Sequence, residues 1–377
     1  MKILFMTTCL DYSGAPKMMA WVANRMAKKG HEVHLVTFFK ADQAKILCED
    51  VVAHSLDVER SQSKLVRNTT GMLKAVTKLH RTVRRVKPDI VVSFLDSVGY
   101  TYLPIGRFLT RAKFVASERV DPYSYKGKTS KLRFFLMGYA HGSVFQTDGA
   151  REFFKDKKRI YDGSTVIPNP VVLNEKVRGM QKNIPSYEER DKRIVTVGRL
   201  SLRQKRQDVL FDAFKIFHES HPDYKLVVYG DGEDTEKIQA LADAKGLSDC
   251  VVLAGRTDKV EEEIFNAKAF VLTSDFEGIP NALIEAMSLG VPSVSTDCSP
   301  GGAALLINDG ENGFLVPKGD AKAIAERLSA VVDDKSVSSR FSQNAPSVSN
   351  RFSEDIIEDK WEGYFLSILG KYDVTAH

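Results

Sequence analysis

Short runs of aliphatic and β-branched residues alternate with longer segments of helical periodicity along both halves of the chain. In the first half these runs predict strands at residues 2–6, 33–38, 90–94, 114–117, 143–146 and 165–167. In the second half they predict strands at 194–197, 226–229, 251–253, 269–273 and 292–295. Strands that alternate with helices are typical of parallel sheets. The pattern therefore predicts the α/β class, with two doubly wound sheets.

Helical segments fill the spaces between these runs. Residues 17–29 repeat apolar side chains at intervals of three and four, and Gly30 follows as a stop signal. Residues 64–87 combine an apolar face with a strongly basic one, and residues 352–369 form a final amphipathic segment. The second half predicts further helices at 207–218, 234–245, 259–266, 282–289 and 321–332.

A break in this pattern divides the chain. Residues 167–193 contain prolines and charges without sustained periodicity, which is typical of an interdomain linker. A length of 377 residues fits two domains of ordinary size. We predict an N-terminal Rossmann-like domain at 1–170, a linker at 171–192, a C-terminal Rossmann-like domain at 193–350 and a final helix within 351–377.

The net charge of +5 hides a strong asymmetry. Residues 1–170 hold 29 Lys and Arg against 15 Asp and Glu, a net charge of +14. The remaining residues hold 25 against 34, a net charge of −9. The basic half alone is therefore expected to meet an anionic surface, and nucleic acid and an anionic membrane are the two candidates.

Cysteine usage and hydropathy bear on the compartment. The four cysteines form no Cys-x-x-Cys pair and no metal-ligand spacing, so they predict free thiols in a reducing cytoplasm. No apolar run approaches the roughly 20 residues that span a bilayer. The first apolar run is too short for a signal peptide, so we expect a cytoplasmic protein.

Two carboxylates flank a predicted helix start in residues 274–287. Glu277 lies in the loop after a buried strand, and Glu285 lies eight positions later, within the helix that Gly290 ends. In open α/β folds ligands bind at such carboxyl ends of strands. Free backbone N–H groups at a helix start also suit anionic or hydroxyl-rich ligands. Both carboxylates are therefore predicted to reach one polyol ligand.

This arrangement resembles the Glu-x7-Glu motif of family 4 glycosyltransferases, a retaining family with the GT-B fold, and the resemblance covers roughly residues 2–334. It implies two Rossmann-like domains that face a central cleft, with the last helix crossing back to the N-terminal domain. It also implies that Glu285 binds the ribose of a donor nucleotide. The donor sugar and phosphate are then cradled by Glu277, Gly278, Ile279, Pro280 and Asn281.

Cations follow the first strand of the second half. Arg199 comes directly after Gly198 at the end of that strand, and Lys205 lies six positions later. The resemblance implies that both bind the donor diphosphate, where fixed charge stabilises the leaving group. It also implies a donor contact near Arg256 and gives Arg199, Lys205 and Glu277 as the catalytic residues.

Two glycine turns also follow strands of the second half. Gly230 and Gly232 enclose Asp231, and Gly301 precedes Gly302. A bare Gly-x-Gly is a weak dinucleotide signal. The resemblance implies that both turns lie near the nucleotide, although a simple helix entry is an equal interpretation of the second.

Candidate acceptor residues lie in the first half. Gly14 keeps part of the family's glycine-rich first loop, although Ser13, Pro16 and Lys17 depart from its usual pattern. Its backbone suits a phosphate of the donor, or the acceptor. Asp96, Glu118 and Arg119 follow predicted strands, and Ser-Glu-Arg sequences are similar to those of relatives that act on polysaccharide or lipid-linked substrates. We expect these three residues to bind the acceptor, with ordinary structural roles as the alternative.

The resemblance implies a retaining transfer of a hexose or N-acetylhexosamine from a nucleotide sugar, UDP-linked by preference, to a glycan acceptor. The acceptor is expected to be a polyprenyl-diphosphate-linked glycan of surface polysaccharide assembly, with the enzyme peripheral on the inner face of the membrane. No metal or other cofactor is expected. The alternatives are a nucleotide-sugar 2-epimerase of the same fold and a non-catalytic sugar-nucleotide or glycan-binding subunit. Nucleic-acid binding is more distant, because the basic half lacks a recognisable reading motif.

Overall fold

The computed structural model describes residues 1–10, 14–38, 46–58, 70–94, 97–172 and 174–371. Ser13, Asp96 and the first residues of the predicted basic helix at 64–87 lie outside these ranges. The chain divides into two compact units, one made of Met1–Asn169 with Asp355–His377 and the other of Pro170–Glu354. Each unit has its own parallel sheet, so the predicted α/β class with two doubly wound sheets is confirmed.

The first unit is built on seven parallel strands within the described ranges. They are β1 (Lys2–Thr7), β2 (Glu32–Thr37), β3 (Val51–Ser55), β4 (Ile90–Ser93), β5 (Lys113–Ser117), β6 (Gly142–Phe145) and β7 (Ser164–Val166). Their order is β3-β2-β1-β4-β5-β6-β7, so the sheet grows outward from β1 in both directions. All four residues of β4 are buried, which is why such central strands form continuous apolar runs in the sequence.

Helices cover both faces of this sheet. They are α1 (Gly14–Lys28), α2 (Thr70–Val86), α3 (Ser97–Leu109), α4 (Lys128–Met137), α5 (Asp148–Glu152) and α6 (Lys158–Tyr161). The apolar sides of α2, α3 and α4 share a core with the strands, in which Leu79, Tyr102 and Phe114 are fully buried. The basic face predicted for residues 64–87 is described from Thr70 onward as part of α2.

The second unit repeats this plan. Its strands are β8 (Asp191–Val197), β9 (Lys225–Tyr229), β10 (Val251–Gly255), β11 (Ala267–Leu272), β12 (Ser293–Thr296) and β13 (Phe314–Val316). Their order is β10-β9-β8-β11-β12-β13, and every pairing is parallel. The helices are α7 (Glu175–Gln181), α8 (Gln207–Ser220), α9 (Thr235–Ala244), α10 (Val260–Phe265), α11 (Asn281–Ser288), α12 (Gly302–Leu306), α13 (Ala321–Asp333), α14 (Lys335–Asn344) and α15 (Val348–Arg351).

Most of the segment predicted as a linker, 171–192, is structured within the second unit. Helix α7 lies inside it, capped by the Asn174 side chain, which accepts from the Val177 amide. Val177 is buried, and the Gln181 amide donates to the Ser288 carbonyl at 2.8 Å. A helix of seven residues with one buried side chain leaves no periodicity in the sequence, so the pattern does not predict it.

The last helix, α16 (Glu354–Ile368), packs on the first unit through its residues from Asp355 onward. Trp361 stacks on Phe94 at 5.9 Å between ring centroids, and Lys29, directly after α1, pairs with Glu362 at 2.6 Å. The predicted return of the final helix to the N-terminal domain is therefore confirmed. Acidic side chains of α16 meet the basic end of α1, so charge as well as apolar burial holds this contact.

Gly142→Ala is expected to destabilise this contact. A side chain at Gly142 would overlap the Tyr364 hydroxyl, which donates to the Gly163 carbonyl at 2.5 Å. Overpacking of this kind costs about 1–3 kcal/mol. Both tryptophans, Trp21 and Trp361, lie in the first unit, so urea unfolding followed by tryptophan fluorescence measures that unit.

The matched control is Gly363→Ala on α16 itself, where an added methyl meets nothing within 4 Å. This change removes a helix-interior glycine, so it is expected to leave stability unchanged or raise it by about 0.5–1 kcal/mol. Equal stability of Gly142→Ala and wild type would contradict the described packing.

Three features bear on membranes and metals. None of the helices in the described ranges is both long and apolar enough to cross a bilayer. Cys9, Cys48, Cys250 and Cys298 form no disulfide. Within the same ranges no group of three or more His, Cys, Asp and Glu side chains could hold a metal ion.

Candidate active site

The carboxyl edge of the second sheet carries the Glu-x7-Glu segment and its cations. β8 and β11 are neighbours there, with β9 beyond β8 and β12 beyond β11. The strand order reverses direction at β8, which makes this edge the switch point where open α/β sheets bind ligands. The β8 loop (residues 198–206) and the β11 loop (residues 273–280) therefore lie side by side.

Hydrogen bonds and an ion pair fasten the β8 loop to the β11 loop. The Thr273 hydroxyl donates to the Lys205 carbonyl at 2.8 Å, and the Asp275 amide donates to the Gln204 carbonyl at 2.9 Å. The Arg206 guanidinium pairs with the Asp275 carboxylate at 2.9 Å. These contacts fix the spacing of the two loops, so their side chains have defined relative positions.

Glycines allow the neighbouring turns to approach these loops closely. A side chain at Gly230, where φ is +131°, would overlap the Gly198 carbonyl, and one at Gly232 would overlap the backbone of the β8 loop. A side chain at Gly302 would overlap the Gly278 carbonyl. The glycine turns after β9 and β12 thus have a packing reason, namely contact between backbones where no Cβ fits.

Lys205 and Glu277 form the centre of the site. The Lys205 ammonium lies 2.5 Å from Glu277 Oε1, with side chains that are only 16% and 11% exposed. The lysine chain passes over Gly198, where an added Cβ would meet Lys205 Cε at 3.0 Å. The sequence predicts both charged residues, and the structure brings them together at the ends of adjacent strands.

Two uncharged residues that the sequence analysis does not single out complete the surroundings of Glu277. The Ser274 hydroxyl donates to Oε1 at 2.8 Å, and the Gln204 amide donates to Oε2 at 3.3 Å. Ser274 is buried, at the start of the β11 loop. Only the position of Gln204 directly before Lys205 could have drawn attention to it.

The other predicted cations are more exposed than Lys205. Arg199 is exposed, and its carbonyl accepts from the Gln207 side chain at 3.1 Å. Arg256 is 79% exposed and lies 3.7 Å from Asp231. The structure therefore places Arg199 on the same loop as Lys205, whereas Arg256 follows β10, two strands from β8.

The second acid of the motif lies on α11, which begins at Asn281. Ile279 and Pro280 are buried and lead the chain into this helix. In the described structure no side chain caps its first turn. Glu285 lies in the second turn and is half-buried. The predicted geometry, with one carboxylate before the helix start and one after it, is therefore present.

In the first unit, Glu118 is fully enclosed at the carboxyl end of β5. It is 1% exposed, and Arg133 donates to both of its oxygens at 2.8 and 3.0 Å. The amides of Arg119 and Val120 donate to Oε1 at 3.1 and 3.2 Å. Burial raises the pKa of Glu118 to about 7, although Arg133 and the two amides oppose that shift. These contacts favour a role in shaping its loop over direct contact with an acceptor.

Arg119 is half-buried beside Glu118. Its guanidinium donates to the Asn169 side chain, which also accepts from Gln146 at 2.9 Å. Burial lowers the pKa of Arg119 to about 9, and the Glu118 charge opposes this shift. Gly14 is exposed at the start of α1, and Asp96 lies outside the described residues. The roles of Gly14, Asp96 and Arg119 remain predictions.

Comparison with known proteins adds independent findings. Residues 177–348 match the family model described as glycosyl transferases group 1. The Campylobacter jejuni enzyme named GalNAc-alpha-(1->4)-GalNAc-alpha-(1->3)-diNAcBac-PP-undecaprenol alpha-1,4-N-acetyl-D-galactosaminyltransferase is 24% identical over 363 residues, 96% of this chain and 97% of that protein. The lipopolysaccharide 1,6-galactosyltransferase of Salmonella typhimurium is 26% identical over 340 residues, 88% of this chain and 90% of that protein.

A solved structure shares the fold. The Anabaena protein Alr3699/HepE in complex with UDP-glucose superimposes with a TM-score of 0.76 at 18% identity. The match covers 97% of this chain and 99% of that one. At this level of identity the likeness is one of architecture.

Proposed function

We propose that this chain is a glycosyltransferase of GT-B fold that transfers a hexose or N-acetylhexosamine from a nucleotide sugar with retention, a proposal supported by the match of residues 177–348 to the group 1 family model and by its glycosyltransferase relatives. The observation that carries the proposal is the Lys205–Glu277 pair at the carboxyl edge of the second sheet, 2.5 Å apart. A cation for a diphosphate and a carboxylate for sugar hydroxyls are there joined in one site.

The proposed diphosphate site consists of Lys205, Arg199 and the start of α11. Lysine carries three N–H donors, so Lys205 can bond Glu277 and still present donors to a phosphate oxygen. The exposed Arg199 can bind phosphate in a bidentate manner. Free amides at a helix start add to the favourable field for an anion. Together these groups stabilise the charge that develops as the nucleoside diphosphate leaves.

The proposed sugar and ribose contacts come from the two acids. Glu277 accepts hydrogen bonds from donor-sugar hydroxyls, with Gly278, Ile279, Pro280 and Asn281 forming the adjoining wall. Glu285 accepts from the ribose hydroxyls. Hydrogen bonds to ionised acceptors are the strong class, which suits recognition of a polyol.

The proposed reaction proceeds by attack on the face that the leaving group departs from. The bond between the anomeric carbon and the diphosphate oxygen breaks, and the acceptor oxygen bonds to the same face of that carbon. The acceptor proton passes to the departing phosphate. No side chain acts as a nucleophile in this course, which uses positioning and charge stabilisation alone.

The donor is proposed to be a UDP-sugar, and the acceptor a polyprenyl-diphosphate-linked glycan. The solved relative that shares this fold holds UDP-glucose, and the Campylobacter relative is named for an undecaprenyl-diphosphate acceptor. Acceptor contacts are proposed for the first unit, where the half-buried Arg119 is the candidate cation.

The experiment is transfer from labelled UDP-sugars to an undecaprenyl-diphosphate-linked oligosaccharide, with the anomeric configuration of the product read by NMR. The proposal expects an α-linked product from an α-linked donor. An inverted linkage would contradict retention. A changed UDP-sugar in the absence of acceptor would favour the 2-epimerase alternative instead.

Peripheral membrane association is proposed for the basic first unit. Four large apolar side chains of α3 and α4 are more than half exposed, and the exposed cations Arg107 and Lys131 adjoin them in the sequence. The apolar ones are Phe108, Leu109, Leu132 and Phe135. An exposed apolar patch with cations suits an anionic lipid surface.

Replacing Phe108 and Phe135 together by serine is expected to reduce binding to anionic vesicles at least threefold, since two apolar contacts with the lipid are lost. Co-sedimentation with vesicles of phosphatidylglycerol and phosphatidylcholine measures this, with phosphatidylcholine alone beside it. Val252→Ser, at an exposed apolar position of the second unit, is the control. Wild-type protein that co-sediments with neither kind of vesicle would contradict the proposal.

A further inference from the structure

The carboxylate of Glu277 is held by three donors from two loops. Oε1 accepts from Lys205 at 2.5 Å and from Ser274 at 2.8 Å. Oε2 accepts from a single described side chain, the Gln204 amide at 3.3 Å. Lys205 and Ser274 both bond Oε1. The rotation of the carboxylate about its Cγ–Cδ bond therefore depends on the group that bonds Oε2.

Gln204 is itself fixed at both ends. Its side-chain amide also donates to the Phe276 carbonyl at 3.2 Å, and its backbone carbonyl accepts from the Asp275 amide at 2.9 Å. Both partners belong to the β11 loop that carries Glu277. Because Gln204 is bonded to the same loop that carries Glu277, its side chain moves with that loop and keeps Glu277 in one orientation.

The charges of Lys205 and Glu277 explain why the Gln204 hydrogen bond becomes important when a donor binds. A diphosphate competes with Glu277 for the Lys205 ammonium, because both are anions within reach of one cation. As Lys205 turns toward phosphate, its hold on Oε1 weakens, whereas the uncharged Gln204 has no such competitor. The amide can therefore keep the carboxylate oriented throughout the reaction.

We infer that Gln204 is a positioning residue, which holds the Glu277 carboxylate in the orientation that accepts hydrogen bonds from the donor sugar. The inference rests on the proposed function, since it assigns Glu277 to the sugar. The inference assigns Gln204 to recognition of the donor sugar, whereas other groups recognise the nucleotide. Ser274 assists by its hydrogen bond to Oε1 of Glu277.

The test compares UDP with UDP-glucose and UDP-N-acetylglucosamine on wild type and on Gln204→Leu, which keeps the side-chain volume and removes the amide. Calorimetry gives affinities, and a transfer assay gives kcat and KM. Loss of one hydrogen bond to a charged acceptor is expected to lower kcat/KM for the UDP-sugar about 10-fold. The Kd for UDP alone is expected to stay within twofold of wild type. If Gln204→Leu merely disordered the two loops, the binding of UDP alone would weaken as well.

A second variant, Gln204→Glu, places a like charge beside Glu277. Repulsion between the two carboxylates is expected to turn Glu277 out of its present orientation and to lower kcat/KM for the UDP-sugar at least as far as Gln204→Leu does. Gln239→Leu on α9, an exposed glutamine that bonds Asp243 at 3.1 Å, is the matched control and is expected to behave as wild type.

The outcomes separate the inference from the proposed function. Wild-type kcat/KM for the UDP-sugar in both Gln204 variants would overturn the inference alone. Equal loss of UDP and UDP-sugar binding in Gln204→Leu would show a structural role and overturn it too. Folded wild-type protein that binds no UDP or UDP-sugar would overturn the proposed function, and the inference with it.

Discussion

Lys205→Ala is expected to lower kcat about 10²–10³-fold, which is the loss typical of removing one group that stabilises developing charge. The ammonium lies at the switch point of the sheet, where a leaving diphosphate would develop its charge. A smaller increase in KM is expected, because Arg199 and the start of α11 still attract the ground-state diphosphate. Steady-state kinetics with a saturating acceptor measures both parameters.

Lys237→Ala is the matched control for this variant. Lys237 pairs with Asp234 at 2.9 Å, but its side chain is 72% exposed, and it lies on α9 outside the site. Exposed pairs of this kind contribute less than about 1 kcal/mol, so activity and stability should stay near wild type. A kcat of Lys205→Ala within threefold of wild type would remove Lys205 from the proposed machinery.

Glu277→Gln is expected to act in opposite directions on transfer and on nucleotide binding. Loss of the ionised acceptor should lower kcat/KM for the UDP-sugar about 10–100-fold, as hydrogen bonds to charged groups are worth about 1.5–3 kcal/mol. The same change removes the anion 2.5 Å from Lys205, so UDP should bind several-fold more tightly. Calorimetry with UDP and kinetics with the UDP-sugar separate the two effects.

Glu236→Gln, an exposed acid on α9, controls for the loss of one negative charge from the second unit. Glu236→Gln should change neither kcat/KM for the UDP-sugar nor the affinity for UDP. Weaker UDP binding in Glu277→Gln would mean that Glu277 contacts the nucleotide itself, which contradicts its assignment to the sugar.

Much of the fold can be predicted from the sequence because central parallel strands are buried on both faces. The run before Glu277 is an example, since all six residues of β11 are buried and the last four, residues 269–272, form one apolar run. The edge strand β3 is not predictable in the same way. Val51 is buried there, but Val52 is 48% exposed, so the strand lacks both an apolar run and a clear alternation.

The charged members of the candidate site are predictable because their spacing and their position after strands carry a signal. Lys205 and Glu277 are 72 residues apart in the chain and meet only because β8 and β11 pair. Gln204 acquires its side-chain partners through that meeting, so no local pattern marks it, whereas Ser274 bonds Glu277 within the β11 loop. Glu118 shows the opposite case, since its position suggests an acceptor contact but its burial against Arg133 points to a structural one.

The most direct test of the central claim, a nucleotide-sugar site in the second unit, is calorimetric titration of UDP into wild type and Glu285→Ala, with GDP alongside. We predict that UDP binds wild type in preference to GDP. Loss of the carboxylate proposed to accept from the ribose should weaken UDP binding about 10–100-fold. Folded wild-type protein that binds neither nucleotide, or a Glu285→Ala variant that binds UDP as wild type does, would contradict the account.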